Sequence, residues 1–123
     1  MTSGGRLDAL SVPEPLIEKY AQAASANREA IAAGDSVKAN QAHDVVAAVY
    51  RHLREHGEQR QLLPLLEHSD PGVVGWAAAH ALEFAPQEGE RALTDLASRE
   101  RGIIGFDAEM TLSEWRKGKL RFP

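Results

Sequence analysis

Residues 62–97, LLPLLEHSDPGVVGWAAAHALEFAPQEGERALTDLA, carry the clearest structural signal in this sequence. A Leu-rich segment ends at a Ser-Asp-Pro corner, where Asp70 can accept hydrogen bonds from free amides and Pro71 suits the first position of a helix. An Ala-rich helix follows and ends near Ala85, and Pro86 opens another helix. This alternation of short helices and tight corners predicts stacked helical hairpins, an architecture that usually provides binding surfaces.

The Ala-rich helix is predicted to pack closely against its neighbours. Its apolar side chains recur at helical spacing and are Val74, Ala77, Ala78, Ala81, Leu82 and Ala85. Because alanine predominates, the helix axes can lie close together. A large side chain at Ala78 is therefore expected to overpack the contact and destabilise the fold by ~1–3 kcal/mol.

Two longer helices are predicted before this region. The first opens at the Pro-Glu-Pro of residues 13–15 and ends at Gly34, and the second covers about residues 37–56, with Asp35 or Ser36 as its cap. A very short turn joins them, so they form an antiparallel hairpin. Their predicted apolar stripes are Leu16, Ile17, Tyr20, Ala24 and Ile31 in the first, and Ala42, Val45, Val46, Val49 and Leu53 in the second.

Three further helices complete the prediction: a short one at about residues 58–68 that contains Pro64, one that starts at Pro86, and one between Gly102 and Gly118. The predicted core residues of the short helix are Leu62, Leu63, Leu65 and Leu66. Those of the helix that starts at Pro86 are Ala92, Leu93, Leu96 and Ala97, and those of the last helix are Ile104, Ala108, Leu112 and Trp115. No segment shows the alternation of a strand. The fold class is therefore predicted as all-α, with about six helices.

The chain has 123 residues, which suffice for one domain with a single core. We expect a flexible leader at residues 1–12 and a single helical domain over residues 13–123. Since the sequence has no cysteine, it excludes disulfides, thiolate nucleophiles and Cys-ligated zinc. The N-terminus lacks a secretory signal, and no apolar run approaches the ~20 residues of a membrane helix. We expect a cytoplasmic protein with no membrane partner.

The formal net charge of −4 is unevenly distributed. The C-terminal WRKGKLRFP contains four basic residues and no acidic one, and removing these four charges leaves −8 for residues 1–114. An acidic body repels phosphate backbones and attracts a basic protein, so no nucleic-acid partner is expected. We interpret the basic end as a structural or solvated tail, since cations also suit a helix C-terminus.

Residues 69–86, SDPGVVGWAAAHALEFAP, resemble a HEAT-like repeat, in which an Asp-Pro corner and a Val precede a helix of small residues and Leu. The segment PQEGERALTDLA together with the last helix is similar to a second, degenerate hairpin. Over residues 13–123 the chain further resembles a bacterial family of short HEAT-like domains of unknown function, with an LLPLL…P…V…AA…L…AP centre and an A-x-M-T-L…G…P ending. The resemblance implies an α/α superhelix with a concave inner face and supplies no catalytic residues.

One position departs from the HEAT-like pattern. Such repeats often place Arg directly after the Val, where it can pair with the corner acids of neighbouring repeats. Here Gly75 follows Val74, so no such ladder of ion pairs is expected. Gly75 is also expected to cost ~1 kcal/mol of helix stability relative to Ala.

Residues 52–56, HLREH, fit the H-x-x-E-H pattern of inverted zinc peptidases. The spacing sets His52 and His56 one helical turn apart, as a metal site needs. Gly57 follows at once, however, so the pair lies in a terminal turn that frays, and no third ligand is evident. A histidine at this position also interacts favourably with the helix dipole. We therefore predict no metal and no cofactor.

Other catalytic arrangements are weak. The carboxylates of Asp107 and Glu109, like those of Glu88 and Glu90, lie two residues apart on a helix and point in different directions, so neither pair forms a dyad. Nothing resembles a nucleophile elbow or a phosphate loop. We therefore expect a protein that is not an enzyme.

Trp76 is the most distinctive candidate for binding. It lies opposite the apolar stripe of its helix, beside Glu83 and near His80, and so either packs against a further helix or projects as an anchor for a partner. We predict that the protein-binding residues are Trp76, His80, Glu83, Asp107 and Glu109.

Together these observations predict a protein-binding module with an acidic, Trp-containing inner face and leave its oligomeric state open. The specific hypothesis is an immunity protein that neutralises a bacterial toxin by direct binding, because acidic inhibitors favour basic targets such as nucleases. Two alternatives remain. One is a HEAT-like protein associated with nucleic acid, which requires a basic concave face; the other is a metal-dependent enzyme built on His52, Glu55 and His56.

Overall fold

A computed structural model describes residues 14–123, which form helices and no strand. The elements are α1 (Glu14–Ala32), α2 (Ser36–Glu55), a 3₁₀ helix (Gln59–Glu67), α3 (Pro71–Phe84), α4 (Pro86–Arg99) and α5 (Ile103–Arg116). Each element packs against the next along the chain, except that α2 has little contact with the 3₁₀ helix, which packs chiefly against α3. The predicted all-α class of helical hairpins in an α/α superhelix is confirmed. The leader predicted at residues 1–12 lies outside the described residues.

The helix boundaries follow the predicted local signals. The Asp35 side chain accepts a hydrogen bond of 3.0 Å from the Lys38 amide at the start of α2. The Asp70 side chain likewise accepts one of 2.8 Å from the Gly72 amide, with Pro71 as the first residue of α3. Gly34, which follows α1, has a φ of +75°, a left-handed conformation that glycine adopts without steric cost.

The third predicted helix is a 3₁₀ helix because of Pro64. Proline lacks an amide hydrogen and its ring clashes with the carbonyl four residues earlier, so an α-helix cannot continue through it. In a 3₁₀ helix residues three apart are eclipsed, which explains why Leu62 and Leu65 are buried. Leu63 and Leu66 are only half-buried, so the prediction that all four leucines are buried was wrong for these two, although Leu66 still packs against the core.

Helix α3 lies at the centre of the fold and divides the core into two clusters. Val73 and Ala77 join the cluster formed with α1, α2 and the 3₁₀ helix, whereas Val74, Ala78 and Leu82 join the cluster formed with α4 and α5. The apolar residues of this helix were predicted to lie on one side of it. The structure buries two sides of it, because its alanines allow helices to approach from both directions.

Several predicted core residues are less buried than expected, and those that are half-buried are Leu16, Ile17, Val45, Ala92, Ala97, Ile104 and Trp115. Ile31 retains 42% of its exposure, because the last turn of α1 borders an open groove rather than a packed helix. Trp115 is half-buried, and it packs on the edge of the second cluster. In residues 14–123 no helix combines the length and the apolar character needed to cross a bilayer.

Candidate functional site

A groove of about 1140 Å³ opens between the tip of the α1–α2 hairpin and the first half of α5. Its floor includes Trp76 and Ala79 of α3 together with Leu96 of α4. The lining residues come from the end of α1, the start of α2, α3, α4 and the first half of α5, so helices from both sides of α3 contribute to the groove.

Exposed apolar side chains concentrate on the two rims of this groove. Among the described residues, the large hydrophobic side chains that remain exposed are Ile31, Val37, Ile103, Phe106 and Met110. Ile31, Ile103 and Met110 line the groove itself. Val37 and Phe106 are each adjacent in sequence to a residue that lines it. The rims therefore present apolar surface that residues 14–123 do not cover.

Trp76 is held in the floor of the groove in a defined orientation. Its indole Nε1–H donates a hydrogen bond of 3.2 Å to Oδ1 of Asn27, and the Asn27 side-chain amide donates one of 2.8 Å to the carbonyl of Ala39. The ring of His43 packs edge-on at 5.4 Å between centroids. Trp76 is half-buried, so it both packs against the first hairpin and leaves part of its indole facing the groove.

His80 lies behind Trp76, in the core. Only 3% of its surface is exposed, its Nδ1 lies 2.6 Å from the Tyr20 hydroxyl, and the Tyr50 ring stacks on it at 4.0 Å between centroids. Burial, assisted by the nearby side chains of His43 and Arg54, lowers the pKa of His80 to about 3, so the imidazole is neutral at neutral pH. Burial also raises the pKa of Tyr20, which keeps its hydroxyl protonated as the donor in this bond.

Glu83 lies on the other side of α3, away from the groove. Its carboxylate accepts a hydrogen bond from the Tyr50 hydroxyl, and the Arg54 guanidinium lies 3.2 Å away. The Gln59 side chain donates to the Tyr50 oxygen at 2.8 Å. Burial, followed by the bond to Glu83, raises the pKa of Tyr50. Arg54 also donates to the backbone oxygen of Pro123, so this cluster attaches the C-terminal segment to α2.

Asp107 lies on the α5 wall of the groove, whereas Glu109 is exposed outside it. Although Asp107 as a residue is exposed, partial burial of its carboxylate raises its pKa above the ordinary value. The other charged side chains along the groove are Arg28, Asp35, Glu100 and Arg101. Apolar residues make up most of the rest of the lining, so the inner face is less acidic than we expected and its carboxylates are dispersed.

Of the five predicted binding residues, the structure brings Trp76 and Asp107 together in one groove. His80 is buried behind the groove, and Glu83 and Glu109 do not line it. The apolar residues of the α5 rim were not among the predicted binding residues. Ile103, Phe106 and Met110 recur at i, i+3 and i+7 and form a second apolar stripe, which the periodicity of α5 could have indicated.

The HLREH segment forms the end of α2. The rings of His52 and His56 stack at 4.1 Å between centroids, and the His56 Nδ1–H donates to the His52 carbonyl at 2.8 Å. This bond satisfies a carbonyl at the helix terminus, which is the structural role that the sequence analysis weighed against zinc binding. Within residues 14–123, His, Cys, Asp and Glu side chains form no group of three or more that could hold a metal ion.

Residues 14–115 match the model of a family that is described as a domain of unknown function, DUF2019. The matched residues extend from the start of α1 to the last turn of α5, so both rims and the floor of the groove lie inside the family domain. No curated protein and no solved structure matches the chain.

Proposed function

The chain belongs to the DUF2019 family of domains of unknown function, and we propose that it is a non-enzymatic protein-binding module. Its binding surface is the groove between the α1–α2 tip and α5. The observation that carries this proposal is the position of the exposed large hydrophobic side chains: among the described residues there are five, and three of them, Ile31, Ile103 and Met110, line that groove. Contiguous exposed apolar surface is typical of interaction sites.

The size of the groove favours a macromolecular partner. Small-molecule sites usually enclose roughly 300–1,000 Å³ and bury most of their ligand. The groove here has about 1140 Å³ and is open along its length. Trp76 on its floor is the residue type that most often dominates binding energy at protein interfaces.

We further propose that the helical hairpins are HEAT-like repeats. The Asp-Pro corner supports this assignment, because Asp70 pairs with Arg28 of α1 at 3.0 Å. This contact joins neighbouring hairpins through the corner acid. Its Arg lies on α1, whereas HEAT-like repeats often have the pairing Arg directly after the Val, where this chain has Gly75. An experimental structure in which residues 59–84 and 86–116 superpose as two copies of one repeat supports the assignment, and one in which they do not superpose excludes it.

The specific role we propose is that of a cytoplasmic immunity protein that neutralises a basic bacterial toxin by direct binding. Removing the four charges of the basic C-terminal segment leaves a net charge of −8 for residues 1–114. A net negative body increases the rate of encounter with a basic partner. The apolar groove then provides the surface that holds the partner after encounter.

Co-expression with the product of the adjacent gene tests this role. If that product alone stops bacterial growth, growth in the presence of the chain and co-purification of a stoichiometric complex support immunity. A product that is toxic and is neither bound nor neutralised overturns the immunity role.

Substitutions on the rims test the groove itself. We expect Ile103→Asp and Met110→Asp to abolish co-purification, because each places a carboxylate on apolar surface that the partner covers. Ala48→Asp on α2 is the control, since Ala48 is exposed and outside the groove. A complex that survives both rim substitutions overturns the groove as the binding surface.

A further inference from the structure

Asp107 lies within the apolar stripe of α5. It follows Ile103 by one helical turn and precedes Met110 by about one turn, and all three side chains line the groove. Ile104, which is half-buried, lines the same wall. An acidic side chain is therefore fixed by its position in the helix on the surface that a partner would cover.

Within the described residues, Asp107 and Arg101 take part in no ion pair, whereas each of the other three charged side chains along the groove has a partner. Arg28 is bound to Asp70 at 3.0 Å, Glu100 lies 3.8 Å from Arg99, and the Asp35 carboxylate caps α2. Apolar neighbours partly desolvate the Asp107 carboxylate and raise its pKa. Covering this carboxylate with an apolar partner alone would be unfavourable, whereas a cation on the partner would compensate for the lost hydration.

We propose that the partner occupies the groove with an amphipathic α-helix whose apolar face carries one Lys or Arg that pairs with Asp107. This inference rests on the proposed protein-binding function and specifies the chemistry of the partner.

A helix is favoured over an extended segment by the architecture of the binding domain. In strand addition, an extended peptide gains its affinity from main-chain hydrogen bonds to a sheet edge. Residues 14–123 contain helices and no strand, so they offer no such edge. A groove lined by helices, with an apolar floor, instead suits the helix-in-groove mode, in which side chains at i, i+3, i+4 and i+7 of the partner enter the groove.

A partner with a basic side chain is favoured over a second copy of this chain. The exposed apolar stripe of α5, with Ile103, Phe106 and Met110, is the surface of this chain best suited to enter the groove. That stripe carries Asp107 itself, so its insertion would bring a second carboxylate to a wall that already holds one. Like charges placed opposite each other at an interface oppose association.

Selection from a displayed library of amphipathic helical peptides tests the proposal. In each member of the library one position of the apolar face is randomised together with the flanking positions, and the other apolar positions are kept apolar. The baits are the wild-type chain, Asp107→Lys and Glu109→Lys. Glu109→Lys is the matched control, because it makes the same charge change on the same helix outside the groove. Circular dichroism verifies that each bait is folded.

We expect the wild type and Glu109→Lys to select peptides with Lys or Arg at one fixed position, and Asp107→Lys to select Asp or Glu there. A peptide selected on the wild type should bind Asp107→Lys ~10-fold more weakly or worse, and Glu109→Lys within ~3-fold of the wild type. Asp107→Asn, which keeps the size of the side chain, should also weaken binding of that peptide.

The outcomes separate this proposal from the proposed function. One contrary result is that the selected peptides require Ile103 for binding and yet show no preference for a basic residue. Another is that they require Ile103 but show the same preference on Asp107→Lys as on the wild type. Either result overturns the charged pairing and leaves the groove as a binding surface. If no selected peptide loses binding to Ile103→Asp, both the pairing and the groove are overturned.

Discussion

The Tyr20 hydroxyl and Nδ1 of His80 lie 2.6 Å apart in the core and join α1 to α3. Tyr20 is completely buried and its hydroxyl has no other hydrogen-bond partner among the described residues, so the hydroxyl donates to Nδ1 and His80 carries its ring proton on Nε2. His80 is also one turn from Trp76, whose ring lies 5.7 Å from the imidazole. The bond therefore supports, from inside the core, the residue that forms the floor of the groove.

Replacement of Tyr20 by Phe is expected to lower the free energy of unfolding by ~1–3 kcal/mol, because it leaves buried Nδ1 of His80 without a donor. Urea denaturation followed by circular dichroism measures the loss. A double-mutant cycle with His80→Phe provides the control, since removing both partners removes the unsatisfied group. Equal losses from Tyr20→Phe in the wild-type and His80→Phe backgrounds would show that the bond does not contribute.

The pH dependence of stability is expected to depend on His80. Its pKa is about 3 in the folded protein, because burial disfavours the charged imidazole, and is near the ordinary value of 6.5 in the unfolded chain. Between these values the unfolded chain binds more protons, so the contribution of neutral His80 is fully present above pH 6.5 and is lost as the pH falls towards 3. The limiting slope for one such group is ~1.4 kcal/mol per pH unit.

Urea denaturation at a series of pH values from 8 to 4 tests this expectation, with His80→Gln as the comparison. Glutamine does not titrate and offers an oxygen that can accept from Tyr20. The stability of the wild type should fall more steeply below pH 6.5 than that of His80→Gln. Parallel curves for the two proteins would mean that His80 does not account for the acid sensitivity.

Gly89→Ala is expected to destabilise the α3–α4 contact by ~1–3 kcal/mol. A Cβ atom at Gly89 would lie 2.8 Å from the Ala78 carbonyl oxygen and 2.9 Å from the Leu82 amide nitrogen, and these backbone atoms cannot move independently of α3. The same crowding supports the expectation that a large side chain at Ala78 overpacks this contact.

Gly75→Ala is the matched control and is expected to stabilise the fold by up to ~1 kcal/mol, through the better helix propensity of alanine. Its Cβ atom would meet only Leu96 Cδ2, at an ordinary contact distance of 3.5 Å. Thermal denaturation of both variants measures the difference. A Gly89→Ala protein as stable as Gly75→Ala would show that the α3–α4 spacing is adjustable.

Asp70→Ala is expected to cost ~1–2 kcal/mol, chiefly through loss of the α3 cap. Burial opposes ionisation of Asp70, but hydrogen bonds from Ser25, the Gly72 amide and Arg28 outweigh it and lower the pKa of the carboxyl. Asp70→Ser retains a capping oxygen and loses the pair with Arg28, which is partly exposed and is worth at most ~1 kcal/mol. Chemical denaturation should therefore rank the wild type first, Asp70→Ser second and Asp70→Ala last. The reverse order of the two variants would assign the main contribution to the ion pair.

The composition of the candidate site depended on contacts that no local pattern specifies. Trp76 and Asp107 are on helices that meet in the groove only because α3 packs against both hairpins. Periodicity placed Trp76 opposite the apolar stripe of α3, where it could either pack against a further helix or project towards a partner. In the structure the half-buried ring packs against the first hairpin and also faces the groove. Helical periodicity could not show that His80 is buried between two tyrosines, since Tyr20 is sixty positions away in the chain.

The helices themselves could be deduced from residues that act within a few positions of one another. Asp35, Asp70 and Pro71 start helices, Gly34 ends one and Pro64 forces a 3₁₀ segment, because capping bonds, left-handed φ values and a missing amide are local properties. The groove has no such local cause. Its shape and its apolar rims arise from the angle at which the hairpins pack on α3, and that angle is set by side chains brought together from distant parts of the chain.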